Sequence, residues 1–264
     1  MTEISGSTIW ITGASSGIGE ALTKQLNVRG AKLIISARRE EELLRVKQEC
    51  EFPDAIEILP MDLSDKDSIE QAWEKIRSQK TSIDILINNA GISQRLDALK
   101  TDEQTERKIM EVNYFSPVRL SKLVLPGMIT RGAGHIVLIS SLVGKFGTSK
   151  RSSYAASKHA LHGYFESLRA ENWQNNIHVT LVCPGYIHTN ISVNAMASGG
   201  EKYGVMDQNQ LQGKTPESCA KAIIRAIENN RREILFGGKE LIAVYLKRFF
   251  PNLLWKVVKK LSIK

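Results

Sequence analysis

The sequence predicts an α/β protein: one doubly wound domain in which a seven-stranded parallel sheet is covered by helices on both faces. Short apolar runs alternate with longer segments of helical periodicity along the 264 residues. Several runs are continuous Ile, Val and Leu, which is typical of parallel strands buried on both faces. The predicted strands are residues 8–12, 32–36, 56–59, 83–87, 135–139, 177–183 and 233–236.

A glycine-rich turn, Thr12-Gly13-Ala14-Ser15-Ser16-Gly17-Ile18-Gly19, ends the first predicted strand, and a helical pattern with Leu22 and Leu26 on one face follows it. Glycines allow a tight turn and a close approach to a ligand, and a helix N-terminus attracts pyrophosphate. The spacing differs from the usual dinucleotide fingerprint, and such a turn can be only a connection. Its place at the first βα junction favours a nucleotide site.

The second predicted strand ends at Ala37, and Arg38 and Arg39 follow it. In dinucleotide folds this position meets the adenosine ribose, where a carboxylate binds the 2′-hydroxyl of NAD. Two guanidinium groups suit a 2′-phosphate instead, so NADP(H) is the predicted cofactor and NAD is less favoured. The alternative is that both arginines only open a solvated helix that continues with Glu40-Glu41-Glu42.

A Tyr and a Lys at helical spacing, Tyr154 and Lys158, fall on one face of a predicted helix. A nearby cation favours the phenolate and lowers a tyrosine pKa that is otherwise about 10. Ser141 lies thirteen residues upstream of Tyr154, where an apolar run ends, and its hydroxyl could hold a substrate carbonyl. Such a Tyr/Lys pair alone is also common on helix surfaces.

Together these segments resemble the short-chain dehydrogenase/reductase family, in its order and spacing, over roughly residues 5–238. The matching segments are the glycine turn at 12–19, Asp62-Leu63, Asn88-Asn89-Ala90-Gly91, Asn113, Ser141, Tyr154 with Lys158, and Pro184-Gly185. The resemblance implies a single Rossmann-like domain. Within the family, the chain is most similar to the membrane-associated subgroup that acts on lipophilic carbonyls and alcohols.

The resemblance implies hydride transfer between a nicotinamide and a carbonyl or alcohol carbon, with Tyr154 as general acid or base. Ser141 would hydrogen-bond the reacting oxygen, and its spacing to Tyr154 favours it over Ser140. Lys158 would lower the pKa of Tyr154 and hold the nicotinamide ribose. Asn113 would anchor a water that links Lys158 to solvent. The predicted catalytic residues are Asn113, Ser141, Tyr154 and Lys158.

The resemblance also implies the cofactor contacts. Asp62 would meet the adenine amino group, although it could instead cap the following helix. The backbone of Ile187 and the hydroxyl of Thr189 would hold the nicotinamide carboxamide, and 88–91 would lie against the ribose unless it forms an ordinary turn. The predicted cofactor-binding residues are Gly13, Ser15, Ser16, Gly17, Ile18, Gly19, Arg38, Arg39, Asp62, Leu63, Asn89, Ala90, Gly91, Tyr154, Lys158, Pro184, Gly185, Ile187 and Thr189.

Residues 190–213 interrupt the alternation of strands and helices, with Ser198-Gly199-Gly200 and no clear strand. A long irregular segment in a domain is usually a functional loop or a disordered one. With 92–96, 142–150 and Tyr186, it is predicted to line the substrate pocket. No cluster of Arg or Lys in these segments clearly indicates an acidic substrate, so a lipophilic ketone, aldehyde or secondary alcohol of steroid, retinoid or long-chain lipid type is predicted.

The net charge of +8 is concentrated at the C-terminal end. Residues 239–264 hold seven Lys or Arg against one Glu, which gives +6 and leaves +2 for residues 1–238, so nothing here indicates nucleic acid binding. Pro251 can start a helix with Leu254, Val257, Val258 and Leu261 on one face and Lys256, Lys259 and Lys260 largely opposite. Such a basic amphipathic helix with aromatics is typical of a membrane-surface anchor. The alternative is packing on its own domain or on a partner subunit.

Three cysteines, Cys50, Cys183 and Cys219, fit neither a zinc spacing nor a disulfide framework, so a reducing compartment and no metal are predicted. No signal peptide or membrane-spanning stretch is visible. We therefore expect a cytoplasmic protein, and peripheral contact with a membrane surface through 239–264 stays open. The family resemblance implies a homodimer or homotetramer through the helices that carry Asn113 and Tyr154.

Three alternatives to an NADP-dependent oxidoreductase stay open. An NAD-dependent sugar or polyol dehydrogenase fits if Arg38 points to solvent. A non-catalytic module could sense redox state through cofactor occupancy, although it would not need the complete set of Ser141, Tyr154, Lys158 and Asn113. A membrane-docked scaffold would use the C-terminal extension as its functional part.

Overall fold

The computed structural model describes residues 1–197 and 201–262, with side chains up to Lys259. Its strands form one sheet in the order β3-β2-β1-β4-β5-β6-β7, and every neighbouring pair is parallel. The strands are β1 Thr8–Thr12, β2 Lys32–Ser36, β3 Ile56–Ile58, β4 Ile85–Asn88, β5 Gly134–Ile139, β6 Ile177–Pro184 and β7 Glu233–Phe236. The predicted fold class is confirmed, and each strand begins and ends within two residues of its predicted bounds.

Helices cover both faces of this sheet. They are α1 Gly17–Val28, α2 Glu40–Gln48, α3 Lys66–Ser78, α4 Glu103–Met110, α5 Ser116–Arg131, α6 Ser152–Glu171, α7 Gln208–Leu211, α8 Pro216–Glu228, α9 Ile242–Phe249 and α10 Pro251–Ser262. Apolar side chains of α1, α2 and α8 form one core with the sheet, and those of α3, α5 and α6 form a second core on the opposite face.

The strands are apolar throughout because each buries both of its faces. In β1, Ile9 and Ile11 belong to the core beneath α1 and α8, whereas Trp10 belongs to the opposite core. This alternation follows from the two-residue period of a strand. The Nε1 of Trp10 donates to the Oγ of Ser36 at 2.9 Å, so its one polar atom is satisfied. The sheet is thus held from both sides, and its carboxyl ends form a rigid edge.

The C-terminal extension packs one face on its own domain. Leu254 is buried, and it forms a small core with Leu142, Phe146 and the partly buried Leu246 and Val258. Of the two expectations for this segment, packing on its own domain holds for this face. Apolar side chains on other parts of α9 and α10 stay exposed, among them Trp255 and Phe249. The side chains of Lys260, Leu261 and Lys264 lie outside the described residues.

The irregular stretch at 190–213 is only partly without regular structure. Its described part contains α7, and an isolated bridge joins Met196 to Gln94. A second bridge joins Ile187 to Lys214 just beyond it. The Ser198-Gly199-Gly200 stretch, which is part of the predicted irregular segment, lies outside the described residues.

Candidate active site

A cavity of about 1180 Å³ opens at the carboxyl ends of the strands. It lies where the strand order reverses between β1 and β4, which is where doubly wound sheets bind nucleotides. Of the predicted site residues, all but Gly19 and Asn113 line this one cavity. The fold therefore brings the glycine turn, the ends of β2 to β6 and the start of α6 to a single site.

The glycine turn is packed too tightly for side chains. Gly13 and Gly17 have φ of 66° and 58°, which L side chains rarely adopt. A Cβ on Gly13 would lie 2.8 Å from the Cα of Ala90, and one on Gly19 would lie 2.2 Å from the carbonyl oxygen of Gly13. The turn therefore needs glycine for its own geometry, and its open surface faces the cavity.

Asn89 holds the glycine turn against the end of β4. Its Nδ2 donates to the carbonyl oxygens of Thr12 at 2.9 Å and Gly13 at 3.1 Å. The hydroxyl of Thr12 in turn accepts from the backbone N–H of Asn89 at 3.1 Å. The side chain of Asn89 thus fixes the shape of the glycine turn. The segment 88–91 is therefore more than an ordinary turn, which was the alternative drawn from the sequence.

A dinucleotide fits the residues present at this cradle. Ser16 precedes α1 in extended conformation and makes no side-chain capping hydrogen bond, so the first-turn N–H groups are available to a pyrophosphate. Arg38 and Arg39 are exposed on the cavity lining. Arg39 lies 3.8 Å from a carboxylate oxygen of Glu42, whereas Arg38 makes no ion pair with a described residue.

Asp62 lines the same cavity but also holds a turn. Its Oδ1 accepts from the backbone N–H and the hydroxyl of Ser64, at 2.8 and 2.7 Å. The cap of α3 is supplied by Asp65, whose side chain accepts from the backbone N–H of Asp67. Asp62 is therefore not the helix cap that was the alternative to a contact with adenine.

Tyr154, Ser141 and Lys158 meet where β5 ends and α6 begins. The hydroxyl of Ser141 lies beside the Tyr154 phenol and opposes the effect of burial on the pKa of that phenol, whereas the hydroxyl of Ser140 lies 3.0 Å from the Nε2 of His162. The Nζ of Lys158 donates to the carbonyl oxygen of Ile139 at 2.7 Å and lies 5.8 Å from the centroid of the Tyr154 ring. One tyrosine, one serine and one lysine thus share a buried corner.

The pKa of Tyr154 is raised by burial, and this effect is opposed by the charge of Arg151, the hydrogen bond from Ser141 and the charge of Arg95. Burial also lowers the pKa of Lys158 to about 8. The expectation that Lys158 lowers the pKa of Tyr154 is therefore corrected: in the protein without a cofactor, burial raises this pKa. Lys158 is desolvated itself, and the cations that favour the phenolate are two arginines.

Asn113 lies behind the cavity lining, in a π-helical turn, Glu111–Phe115, between α4 and α5. Its Oδ1 accepts from the backbone N–H of Ile92 at 2.9 Å. Its Nδ2 donates to the carbonyl oxygen of Ile92 at 2.9 Å and to the hydroxyl of Ser157 at 3.0 Å. Asn113 therefore fastens the segment after β4 to the helix that carries Tyr154 and Lys158.

Gln94 has a role that sequence reasoning missed. It is fully buried, and its Oε1 accepts from the backbone N–H groups of Ser153 at 2.9 Å and Tyr154 at 3.1 Å. It thereby caps the N-terminus of α6 from a distant loop, which local capping patterns do not reveal. The cap fixes the start of the helix on which Tyr154 stands.

Glu240 is the second missed residue. Its Oε1 accepts from the backbone N–H groups of Gly238 at 3.0 Å and Tyr186 at 3.1 Å. A Cβ on Gly185 would lie 2.2 Å from the same oxygen. The carboxylate thus ties the start of the C-terminal extension to the loop after β6, where the nicotinamide contacts are predicted.

Two arginines stand in the pocket close to Tyr154, which corrects the expectation that no such cluster is present. Arg95 and Arg151 both line the cavity, and both pair with Asp207. The three residues come from separate loops and from the 190–213 segment. No sequence pattern joins them, because only the folded loops bring them together.

A group of possible metal ligands, His162, Cys183 and Glu233, also comes together, with donor atoms within 4.8 Å of one another. The Nζ of Lys145 lies 3.1 Å from the Nδ1 of His162 and 2.5 Å from a carboxylate oxygen of Glu233. The ammonium group of Lys145 therefore already contacts two of the three groups that would bind a metal, His162 and Glu233. Burial raises the pKa of the Cys183 thiol to about 12, which disfavours the thiolate that a metal would need.

A parallel doubly wound sheet, a glycine cradle at its switch point and a buried Tyr/Lys/Ser corner define a dinucleotide-dependent oxidoreductase. The sequence matches the model of the short chain dehydrogenase family over residues 7–198. The chain belongs to that family. The family resemblance drawn from the motifs is confirmed.

The similarity to several relatives covers nearly the whole chain. This chain is 42% identical to dehydrogenase/reductase SDR family member 7B of Xenopus tropicalis, over 92% of this chain and 81% of that protein. It is 39% identical to an SDR family protein 7-like protein of Drosophila melanogaster, over 99% and 82%. A crystal structure of a short-chain dehydrogenase from Streptomyces avermitilis superposes with a TM-score of 0.83 at 29% identity, covering 98% and 97% of the two chains.

Two further solved structures carry cofactors. A short-chain dehydrogenase from Sphingobium yanoikuyae in complex with NADPH has a TM-score of 0.76 at 25% identity, covering 87% of each chain. A 4-hydroxyisoleucine dehydrogenase complexed with NADH has a TM-score of 0.77 at 26% identity, covering 88% of this chain and 98% of that one.

Proposed function

We propose that the protein transfers a hydride between NADP(H) and the carbonyl or secondary alcohol carbon of a lipophilic substrate. The observation that carries this proposal is the buried Tyr154 phenol, which lines the same cavity as Ser141, Lys158 and the glycine cradle. The bound nicotinamide supplies or accepts the hydride. Tyr154 donates a proton to the substrate oxygen in reduction, and Ser141 donates a hydrogen bond to the same oxygen.

Lys158 and Asn113 support this proton transfer. Lys158 is buried beside the Tyr154 ring, and in this proposal its ammonium holds the ribose of the cofactor. Asn113 connects the Ile92 backbone to α6 through its side chain. Its Oδ1 accepts one hydrogen bond from Ile92 and has a second lone pair that can accept from a water. Proton exchange from Tyr154 through Lys158 toward solvent is therefore part of the proposal.

The function is tested by NADPH oxidation with a panel of carbonyls, from small polar aldehydes to steroid and long-chain ketones in detergent. Turnover that requires Tyr154 and favours the lipophilic members supports the proposal. Fast turnover of sugars or polyols with NAD would support the polyol dehydrogenase instead. Cofactor binding with no turnover of any compound would support the sensing module.

The preference for NADP(H) rests on Arg38 and Arg39, because relatives of this fold carry either NADPH or NADH. We expect the Arg38→Gln/Arg39→Gln double variant to lose roughly 10- to 100-fold in kcat/KM for NADPH, as two charge-assisted hydrogen bonds to the 2′-phosphate are removed. The value for NADH should change little. Both are measured under initial-rate conditions with the same carbonyl.

Arg107→Gln is the matched control, since Arg107 is exposed on α4, where it pairs with Glu103, and it does not line the cavity. It should leave the ratio of the two cofactors unchanged. An unaltered ratio in the double variant would contradict NADP preference through these arginines.

The outer face of the C-terminal extension is proposed to lie on an anionic lipid surface. No helix in residues 1–197 and 201–262 is long and apolar enough to span a bilayer. Phe249, Phe250 and Trp255 are 67%, 63% and 65% exposed, and the basic residues of the same segment supply the complementary charge. The opposite face packs on the domain.

Flotation with anionic vesicles tests this contact. The Phe249→Ser/Phe250→Ser/Trp255→Ser variant should lose most of the co-flotation that the wild type shows, because it removes the apolar contact and leaves Leu254 in place. The control Phe52→Ser/Trp173→Ser removes exposed aromatics elsewhere and should float normally. Equal flotation of the triple variant would end the anchor proposal. Point changes are preferable to deletion, which would remove a wall of the cavity.

A further inference from the structure

We propose that Arg95 and Arg151 bind an anionic group of the substrate, a carboxylate or a phosphate, so that the preferred substrate is an amphiphilic oxo acid or oxo phosphate ester. The inference rests on the proposed carbonyl chemistry and names its substrate class.

Both arginines are largely withdrawn from solvent in the cavity wall and share one carboxylate. Their side chains are only 14% and 15% exposed. The Nη2 of Arg95 lies 2.5 Å and the Nη2 of Arg151 3.5 Å from the same Oδ2 of Asp207. A buried charge is costly unless it is paired. Two guanidinium groups and one carboxylate leave a surplus positive charge facing the cavity.

Asp207 has little capacity to balance both arginines. Its Oδ1 accepts from the backbone N–H of Asn209 as the cap of α7, which leaves Oδ2 for the two guanidinium groups. The pKa of Arg95 is lowered by burial and then by the charge of Arg151, against the opposing effect of Asp207. The two arginines therefore repel each other in a site that an anion would relieve.

The remaining charges of the cavity do not supply that anion. The lining contains eight cations and three carboxylates: Arg38, Arg39, Arg95, Lys108, Arg151, Lys158, Lys202 and Lys239, against Asp62, Asp207 and Glu240. Asp62 holds the turn at Ser64, and Glu240 is bound to backbone N–H groups. A bidentate oxyanion is the ligand that paired guanidinium groups recognise best.

The anion site lies at the reacting end of the cavity. Arg151 directly precedes α6, whose third residue is Tyr154, and Gln94, the chain neighbour of Arg95, accepts from the backbone N–H of Tyr154 at 3.1 Å. A bound anion and the reacting carbonyl are therefore neighbours. Apolar side chains of the C-terminal helices, including Ile242, Leu246 and Val257, line the same cavity. The substrate that fits both walls carries a charged group on one side and hydrocarbon on the other.

The test uses the full chain and three matched compounds: a medium-chain methyl ketone with a terminal carboxylate, its methyl ester, and the same ketone with a terminal phosphate. For wild-type protein, we expect kcat/KM for at least one anion to exceed that for the ester by roughly 10- to 100-fold, the worth of a charge-assisted contact. Arg151→Gln and Arg95→Gln should each lower that anion-to-ester ratio by a similar factor. The larger of the two ratios tells carboxylate from phosphate.

Two further variants separate recognition from a merely structural ion cluster. Lys100→Gln removes an exposed charge outside the cavity and should keep the wild-type ratio. Asp207→Asn keeps an N-cap side chain but removes the competing carboxylate, so it should raise affinity for the anion. A structural cluster would instead lose anion and ester turnover together in all three pocket variants. That result, or an ester as good as both anions, would overturn the inference.

Calorimetric titration keeps this inference distinct from the proposed function. Saturated alkanoate and alkyl phosphate of the same chain length, which cannot be reduced, are titrated into the protein with NADP⁺. Binding that weakens in Arg151→Gln and persists in Lys100→Gln supports the anion site even if no ketone turns over. No difference between these anions and the neutral alcohol would overturn it, whatever the reductase assay shows.

Discussion

The Tyr154→Phe variant is expected to bind NADPH and stay folded but to lose roughly 10²- to 10⁴-fold in kcat, the usual contribution of a positioned acid or base. The change removes only the phenolic hydroxyl, which lies beside Ser141 at the cavity wall. Because burial raises the pKa of this phenol, it is protonated near neutral pH, which is the form that carbonyl reduction consumes. Single-turnover decay of NADPH absorbance gives the rate, and fluorescence titration gives cofactor affinity.

Tyr164→Phe provides the control for this substitution. Tyr164 stands on the same helix, α6, and packs edge-on against Tyr114 and Phe165, outside the cavity lining. Its variant should turn over at the wild-type rate. A Tyr154→Phe enzyme with a wild-type kcat would remove Tyr154 from the proton step and with it the central residue of the mechanism.

Gly19→Ala should cost about 3 kcal/mol of stability, at the upper end for overpacking, because its Cβ would lie 2.2 Å from the carbonyl oxygen of Gly13 and 2.5 Å from the Nδ2 of Asn89. The Gly13 carbonyl is backbone, and the Asn89 side chain is held by hydrogen bonds to Thr12 and Gly13, so neither yields as a free side chain would. The Tm should fall by roughly 6–12 °C for a chain of this size. NADPH affinity should fall as well, since the displaced atoms shape the pyrophosphate cradle.

Gly163→Ala is the matched substitution without the collision. Gly163 lies inside α6, and a Cβ there meets nothing within 4 Å. Alanine at an open helical position stabilises by about 0.5–1 kcal/mol, so the Tm should stay level or rise. Calorimetric unfolding of the two variants side by side checks both signs. If Gly19→Ala melted like Gly163→Ala, the cradle would not depend on tight packing.

The strands and the Tyr/Lys pair were predictable because each leaves a local signature. A strand buried on both faces is an unbroken apolar run, as in Ile136–Ile139, and a pair such as Tyr154 and Lys158 needs only helical spacing. Parallel strands end at one edge of the sheet, so residues that follow different strands can meet there. The motifs that follow β1, β2, β4, β5 and β6 line one cavity at that edge.

The contacts that were missed are made by loops. Loop residues follow no sequence periodicity, so the pattern does not show which distant residues they meet. Gln94 caps α6 from about sixty residues away, with separations of 59 and 60 along the chain. Asp207 reaches Arg95 and Arg151 across 112 and 56 residues. The direction of the Tyr154 pKa was missed for a related reason: sequence spacing shows a neighbouring cation but not the depth of burial that opposes it.

The C-terminal helices close a cavity whose chemical machinery lies wholly upstream of them. The family match ends at residue 198, yet Leu246, Leu254 and Val257 form part of the cavity wall, and Glu240 fastens that wall to the loop after β6. This last segment thus adds an apolar wall to a cavity whose arginines, Arg95 and Arg151, lie within the matched stretch. Substitutions in 239–259 therefore change the shape of the cavity while Tyr154 and the glycine cradle stay as they are.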